Sequence, residues 1–398
     1  MSVTGRVLDI LGLGGSGQGP AALTAQNVSL IVSATVVTTL AVVAATKLTL
    51  YAPPPKRIPS PRETVLPKLS QSEKDALPYP PNIYPGARDV EGPHGTMRVY
   101  EWGPETGKKV VLIHGISTPC MSVGGVAHAL VAKGCRVILF DLWGRGYSDE
   151  VSLPHDSSLY ATQILTAIAT SPLSWTGGNS GGFAVVGYSL GGGIAADFAA
   201  SMPGLVSDVV LLAPASLIRP KHFSASLRLA YSGVLPDAIL FPLIRQRIAE
   251  GTSANKKPLP NDDLEEALAE EMGAGDKEQA VVSKEKPDVT IRNAVRWQVA
   301  NHAGFINSFV SSIRYASIEG NHENWRKLGR TKTGVGKDKV LVLAGTKDPL
   351  IVLEELKEDA ESTLGEEKLV FKGVAGTHEF PLVSPEVVAN IIAEHWGI

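Results

Sequence analysis

Three side chains in this sequence could pass a proton between oxygen and nitrogen, and each follows a short apolar run. Ser189 lies in Gly187-Tyr188-Ser189-Leu190-Gly191, after Ala184-Val185-Val186 and ahead of an alanine-rich helical pattern. Asp348 lies in Gly345-Thr346-Lys347-Asp348-Pro349, directly after Val340-Leu341-Val342-Leu343-Ala344. His378 lies in Gly376-Thr377-His378-Glu379-Phe380-Pro381. A serine hydroxyl is a weak nucleophile near neutral pH until a base takes its proton, and an imidazole with a pKa of about 6.5 suits that task. A carboxylate behind the ring holds the useful tautomer and stabilises the imidazolium. Ser189, His378 and Asp348 are therefore the candidate nucleophile, base and orienting acid. Glu379 adjoins the base, but its neighbouring backbone position points it elsewhere.

Residues so distant in sequence meet only if the fold gathers them. In an open parallel sheet the loops leaving the C-terminal ends of strands converge on one crevice. Short β-like segments either side of Gly92-Pro93-His94-Gly95 predict a hairpin over 88–91 and 96–102, and apolar runs predict strands over 109–113, 135–140, a run ending at Tyr188, 209–212, 340–344 and 368–371. Helical spacing alternates with them over 123–132, 159–169, from Ser189 to about Met202, over 351–362 and over 384–396. The alternation predicts an α/β fold with a mostly parallel sheet flanked by helices. It breaks off over 219–337, where a mainly helical pattern with an amphipathic run over 291–313 predicts an inserted cap. Gly187 and Gly191 flank a strand-to-helix turn too tight for Cβ atoms.

From about Arg88 onward the chain resembles the α/β-hydrolase family. The resemblance rests on His114-Gly115, the turn from Asp141 to Asp149 with Gly144, Gly146 and Ser148, the pentapeptide around Ser189, and the loops of Asp348 and His378. It implies a Ser-Asp-His triad and an oxyanion hole made by the N–H of Leu190 and an N–H of Ile116 or Ser117. Removing one such donor costs about 3 kcal/mol of transition-state stabilisation. His114 is expected to order its loop. Trp143 and Cys120 stand where pocket walls would be, and Asn301 and His302 in the insertion could face a substrate; packing or surface roles remain open for all four. Serine at the elbow argues against the family's epoxide hydrolases and haloalkane dehalogenases, which use aspartate there. No metal-ligand spacing is present, and no metal or organic cofactor is expected. The expected activity is carboxylic ester hydrolysis through an acyl-enzyme, on small-molecule or lipid esters. Amide or carbon–carbon bond hydrolysis, acyl transfer and a non-catalytic binding scaffold stay open as alternatives.

Composition narrows the setting. The 398 residues are 44% hydrophobic and 19% charged with a formal charge of -3, which gives no argument for nucleic acid as a partner. The two cysteines, Cys120 and Cys135, build no disulfide framework. Residues 1–27 are expected to be a flexible tail; Gly12-Leu13-Gly14-Gly15-Ser16-Gly17 lacks the strand and the Lys-Ser/Thr of a phosphate loop. Residues 28–51 are expected to form a single transmembrane helix, with a cleaved signal peptide or a buried helix as alternatives. Lys47, Lys56, Arg57 and Arg62 follow the apolar run and only Arg6 precedes it, so the catalytic body is expected on the cytoplasmic side, or secreted if the segment is cleaved. Residues 52–85, with ten prolines from Pro53 to Pro85, are expected to form a stiff linker. Residues 86–218 and 338–398 would be the two parts of the core, and the charged run over 256–288 a solvated face or mobile loop. The sequence leaves the oligomeric state open.

Overall fold

The computed structural model describes residues 25–50, 56–176, 181–251, 281–332 and 338–398. The expected N-terminal tail, apart from its last three residues, and most of the charged run over 256–288 lie outside the described residues. The chain divides into two compact units, one holding 1–54 with 236–238, the other the remainder.

In the first unit a helix, α1 (Ala25–Leu50), contains the span Val28–Lys47, which is long and apolar enough to cross a membrane. Twenty residues at about 1.5 Å each reach about 30 Å. Two hydroxyls in this apolar run bond back to the helix: Thr35 and Thr38 donate to the carbonyls of Ile31 and Ala34, each at 2.8 Å.

The second unit is built on an eight-stranded sheet. Its strands are β1 (Arg88–Glu91), β2 (Thr96–Trp102), β3 (Lys109–Ile113), β4 (Arg136–Phe140), β5 (Phe183–Tyr188), β6 (Val206–Leu212), β7 (Val340–Gly345) and β8 (Leu369–Val374). Their spatial order is β1-β2-β4-β3-β5-β6-β7-β8. The hairpin of β1 and β2 is antiparallel and the other six strands run parallel. Strands β5, β6 and β7 are buried at every position, which is why β5, β7 and the 209–212 part of β6 read as apolar runs rather than alternating ones. Helices α2 (Gly124–Ala132) and α10 (Pro385–Trp396) pack together. Helices α3 (Ser157–Ala169) and α4 (Leu190–Ser201) form a second packed group.

The insertion after β6 is closed at its base. Ser216 N–H donates to Ile318 O at 2.7 Å, Asn321 N–H donates to Ser216 O at 3.0 Å, and Ile218 bridges Glu319. Its described helices include α5 (Asp237–Gly251), α6 (Ile291–Asn301), α7 (Phe305–Tyr315) and α8 (His322–Arg330). The amphipathic run predicted over 291–313 is two helices, broken at His302 to Gly304. Helix α8 packs on α4 and on α9 (Leu353–Leu364), so the end of the segment expected to be cap flanks the sheet instead. Buried Trp325 donates its indole N–H to Ser216 Oγ at 2.9 Å, which anchors α8 there.

The proline-rich segment differs from expectation. Its prolines do prevent a long helix, yet residues 56–85 are laid onto the body rather than held off it as a linker. Arg57 and Ile58 pair antiparallel with Val151 and Glu150. Ser60, Tyr79 and Ile83 are wholly buried. Proline lowers the entropy lost when an extended segment is ordered, and Tyr79 and Tyr84 supply apolar surface to bury. We call this segment the strap.

Candidate active site

Ser189 sits at the tip of the turn from β5 into α4 with φ 54° and ψ -119°, a conformation sparsely populated by residues other than glycine. The surroundings hold it there. Ser189 N–H donates to Leu212 O at 3.0 Å, and Ser189 O accepts from Gly192 N–H and Ala215 N–H, each at 2.9 Å. A Cβ on Gly187 would lie 2.0 Å from Gly191 O, and one on Gly191 would lie 2.2 Å from Ile113 O. Both glycines are therefore demanded by close backbone approach, as the sequence pattern anticipated.

Asp348 and His378 come from the loops after β7 and β8, neighbouring strands in the sheet. Oδ1 of Asp348 accepts from the N–H groups of Leu350 and Ile351 at 3.0 and 2.8 Å, which fixes the carboxylate and leaves Oδ2 facing the ring. His378 Nδ1–H donates to that Oδ2 at 2.7 Å, and Nε2 accepts from the Ser189 hydroxyl at 3.0 Å. With the serine 7% exposed and the imidazole 1% exposed, this chain of hydrogen bonds lies in a dehydrated setting where charge interactions are strong. The structure thus brings the three distant side chains into one hydrogen-bonded line.

Ile116 and Ser117 lie on the loop after β3, which pairs with β5 so that Ile113 is opposite Gly187. Loop and serine therefore leave the same edge of the sheet, and the loop presses against the start of α4, where Leu190 offers one of the free N–H groups of a helix N-terminus. His114 is wholly buried and orders this loop. Its Nε2 accepts from Leu142 N–H at 2.8 Å and its Nδ1–H donates to Gly115 O at 2.7 Å. Burial, aided by the nearby Arg145 guanidinium, pushes its pKa down to about 3, so it is neutral at ordinary pH and cannot serve as a second base there.

Asp141 underpins the same loop. Its buried carboxylate accepts from Cys120 N–H and Tyr147 N–H, each at 2.9 Å, and from the Tyr79 hydroxyl at 2.9 and 3.1 Å. Burial raises its pKa and these donors oppose the rise. Tyr79 stacks on Tyr147 with ring centroids 5.0 Å apart, so the strap reaches under the site.

The four residues expected at the pocket are placed as follows. Cys120 is wholly buried, its Sγ 3.5 Å from the Tyr79 hydroxyl. Trp143 is 1% exposed and takes Gln163 Oε1 on its backbone N–H at 3.3 Å. Asn301 donates its amide to Trp297 O in its own helix at 2.8 Å. His302 is wholly buried and donates from Nε2 to Ser148 O at 2.8 Å; burial lowers its pKa to about 4. None of these contacts reaches the Ser189–His378–Asp348 line. Sequence reasoning passed over Gln298, one turn earlier on α6, which is wholly buried and donates to Ser117 O at 3.0 Å. It also passed over Arg145, whose buried guanidinium holds Ile116 O at 3.0 Å, Trp143 O and Ser312 Oγ. A buried-polar signal existed for Gln298, since it falls in the apolar register of an amphipathic helix.

Comparison with known proteins agrees with this geometry. A serine hydrolase-like protein of Dictyostelium discoideum is 35% identical over 117 residues, covering 28% of this chain and 30% of that one. An uncharacterised protein of Mycobacterium tuberculosis is 29% identical over 210 residues, covering 47% of this chain and 59% of that one. The matched region thus spans less than two thirds of either relative. The crystal structure of a membrane phospholipase A described as a bacterial virulence factor superposes with a TM-score of 0.52 at 18% identity, covering 90% of this chain and 96% of that one, a likeness of fold alone. The family model described as "Alpha/beta hydrolase family" matches residues 110–391, which take in the serine, the acid, the histidine and the insertion. By that match, and by a sheet order and loop arrangement that agree with it, the chain belongs to the α/β-hydrolase family.

Proposed function

We propose that this chain is a membrane-anchored serine hydrolase that cleaves carboxylic esters through an acyl-enzyme. The observation that carries the reading is the hydrogen-bonded line from Asp348 through His378 to Ser189, at 2.7 and 3.0 Å. Ser189 Oγ attacks the ester carbonyl as its proton passes to His378 Nε2. The resulting imidazolium is stabilised by Asp348 through Nδ1–H. The N–H groups of Leu190 and of Ile116 or Ser117 receive the oxyanion. Collapse expels the alcohol, which takes the proton from His378. Water then attacks the acyl-enzyme with His378 again as base, restoring the serine and releasing the acid. The serine hydrolase-like name of the Dictyostelium relative supports the same chemistry.

The apolar helix over 28–47 supports the anchor, and an anchored enzyme meets hydrophobic acyl esters, such as glycerolipids or lysolipids, at high local concentration. The basic residues after it support a cytoplasmic body. Of these, Arg57 and Arg62 lie within 4 Å of acidic oxygens, leaving Lys47 and Lys56 as the residues that bear most on orientation.

A fluorophosphonate probe and an ester panel test the reading. Wild-type protein should be labelled covalently and should turn over esters, and Ser189→Ala should lose both by a factor of about 10⁴ or more. Labelling that persists in Ser189→Ala overturns the nucleophile. Activity should rise with pH as the His378 imidazolium loses its proton.

A further inference from the structure

Three consecutive carbonyls on the loop after β3 are each held by a buried side-chain donor. Gly115 O takes His114 Nδ1–H at 2.7 Å, Ile116 O takes Arg145 Nε–H at 3.0 Å, and Ser117 O takes Gln298 Nε2–H at 3.0 Å. In a trans peptide the carbonyl and the next residue's N–H lie on opposite edges of one rigid plane. Gripping the carbonyl edge therefore aims the N–H edge: Gly115 O governs the N–H of Ile116, and Ile116 O governs the N–H of Ser117. Ser117 O lies one plane further on, sharing the Ser117 Cα with the plane before it.

The three donors differ in origin. His114 and Arg145 belong to the core loops after β3 and β4, whereas Gln298 enters from helix α6 of the insertion. Both ends of its amide are engaged, because Oε1 accepts from Gly146 N–H at 2.7 Å, in the turn that also carries Arg145. With no exposure to solvent and two opposed partners, the Gln298 side chain has one orientation in which both are satisfied. It ties the end of one core loop to the middle of the other.

We propose that Gln298 is a positioning residue for the oxyanion-binding loop, so that the insertion completes the electrophilic half of the site. The inference rests on the serine-hydrolase reading above. A glutamine kept only for packing would lower stability when replaced; one that aims the loop lowers the rate of steps that build negative charge on the carbonyl oxygen.

The test uses the full chain in detergent micelles with a p-nitrophenyl ester as substrate and a trifluoromethyl ketone as a probe that forms a charged tetrahedral adduct on the serine. Gln298→Met keeps length and loses the donor. It should lower kcat about 10- to 100-fold with KM little changed, and should weaken the ketone by the same factor as kcat/KM falls. Gln298→Glu retains the acceptor for Gly146 but sets a carboxylate against Ser117 O, and only the protonated acid can donate there. Its deficit relative to wild type should shrink as pH falls from about 8.5 to about 6. If both variants stay within about twofold of wild-type kcat, or the glutamate deficit is independent of pH, the proposal is overturned. Should the methionine variant fail to fold, the pH dependence of the glutamate variant still decides. Wild-type protein that neither turns over esters nor binds the ketone overturns the serine-hydrolase reading instead, a result distinct from either outcome for the variants.

Discussion

The two sides of the active site are assembled in different ways. On the serine side, Ser189, Asp348 and His378 stand on loops of adjacent or nearby strands, and the turn geometry is held by backbone hydrogen bonds and by glycines that admit close backbone contact. On the loop after β3, His114 and Arg145 of the core loops are joined by side chains carried in from elsewhere: Tyr79 from the strap beneath Asp141, and Gln298 from the insertion above Ser117. The first arrangement is local to the sheet and tolerates change in whatever covers it. In the second, segments that look peripheral in the sequence take part in holding the loop.

That contrast can be broken or sharpened by substitution. Asp348→Asn keeps the shape but removes the charge that stabilises the imidazolium, and kcat should fall by about 10³- to 10⁴-fold with the protein still folded, as read from steady-state kinetics and circular dichroism. Gly191→Ala places a Cβ 2.2 Å from Ile113 O and 2.6 Å from His114 O, both backbone atoms that cannot step aside. The cost should be about 3 kcal/mol or more, seen as a large drop in urea midpoint or as loss of folded protein. A Gly191→Ala protein of wild-type stability would show that the serine side is less tightly built than its geometry indicates.

On the other side, Tyr79→Phe deletes one of the donors to the buried Asp141 while Cys120 N–H and Tyr147 N–H remain. A loss of about 1–3 kcal/mol is expected in denaturant unfolding, because the carboxylate stays buried with a donor missing. Activity should fall less than in Asp348→Asn; an unchanged unfolding midpoint would mean that the strap does not support the site.

The smallest effect is electrostatic. His302 has its pKa depressed to about 4 by burial, so near pH 5 the unfolded chain binds a proton there that the folded chain does not. This contribution to stability is complete above the ordinary histidine pKa of about 6.5 and is lost progressively as pH falls toward about 4. His114, depressed to about 3, acts in the same direction and somewhat further into acid. His302→Gln should therefore make the fall in melting temperature between neutral and mildly acidic pH shallower, and an equal slope in both proteins would count against the burial of that imidazole.

Much of this site is legible from neighbouring residues alone. Ser189, Asp348 and His378 could be chosen because each stands just past an apolar strand, and strand ends are where a parallel sheet gathers its chemistry. The boundaries of β1, β2 and β3 agree residue for residue with the hairpin signal and the apolar run that predicted them. Less visible was the insertion: Asn301 and His302 were the polar groups singled out on its helix, yet Asn301 turns to its own backbone and His302 to Ser148 O. Choosing Gln298 instead requires knowing which face of α6 meets a loop 181 residues earlier in the chain. The strap was misread for a related reason. Proline density reports the absence of long helix, but whether such a segment is held off the body or packed into it depends on partners that composition does not reveal, such as Asp141, which takes the Tyr79 hydroxyl, and Asp149, which takes Ser60 N–H at 2.9 Å.

By itself, then, the order of residues determined the alternation of strand and helix, the sharp turn at Ser189 and the choice of Ser189, Asp348 and His378 as candidates, because those follow from periodicity, glycine placement and side-chain chemistry within a few residues. Only the tertiary structure decided that the strap and the insertion close on the loop after β3. Those contacts join surfaces that are distant along the chain, and their free energy comes from burying and satisfying polar groups whose partners exist only once the chain has folded.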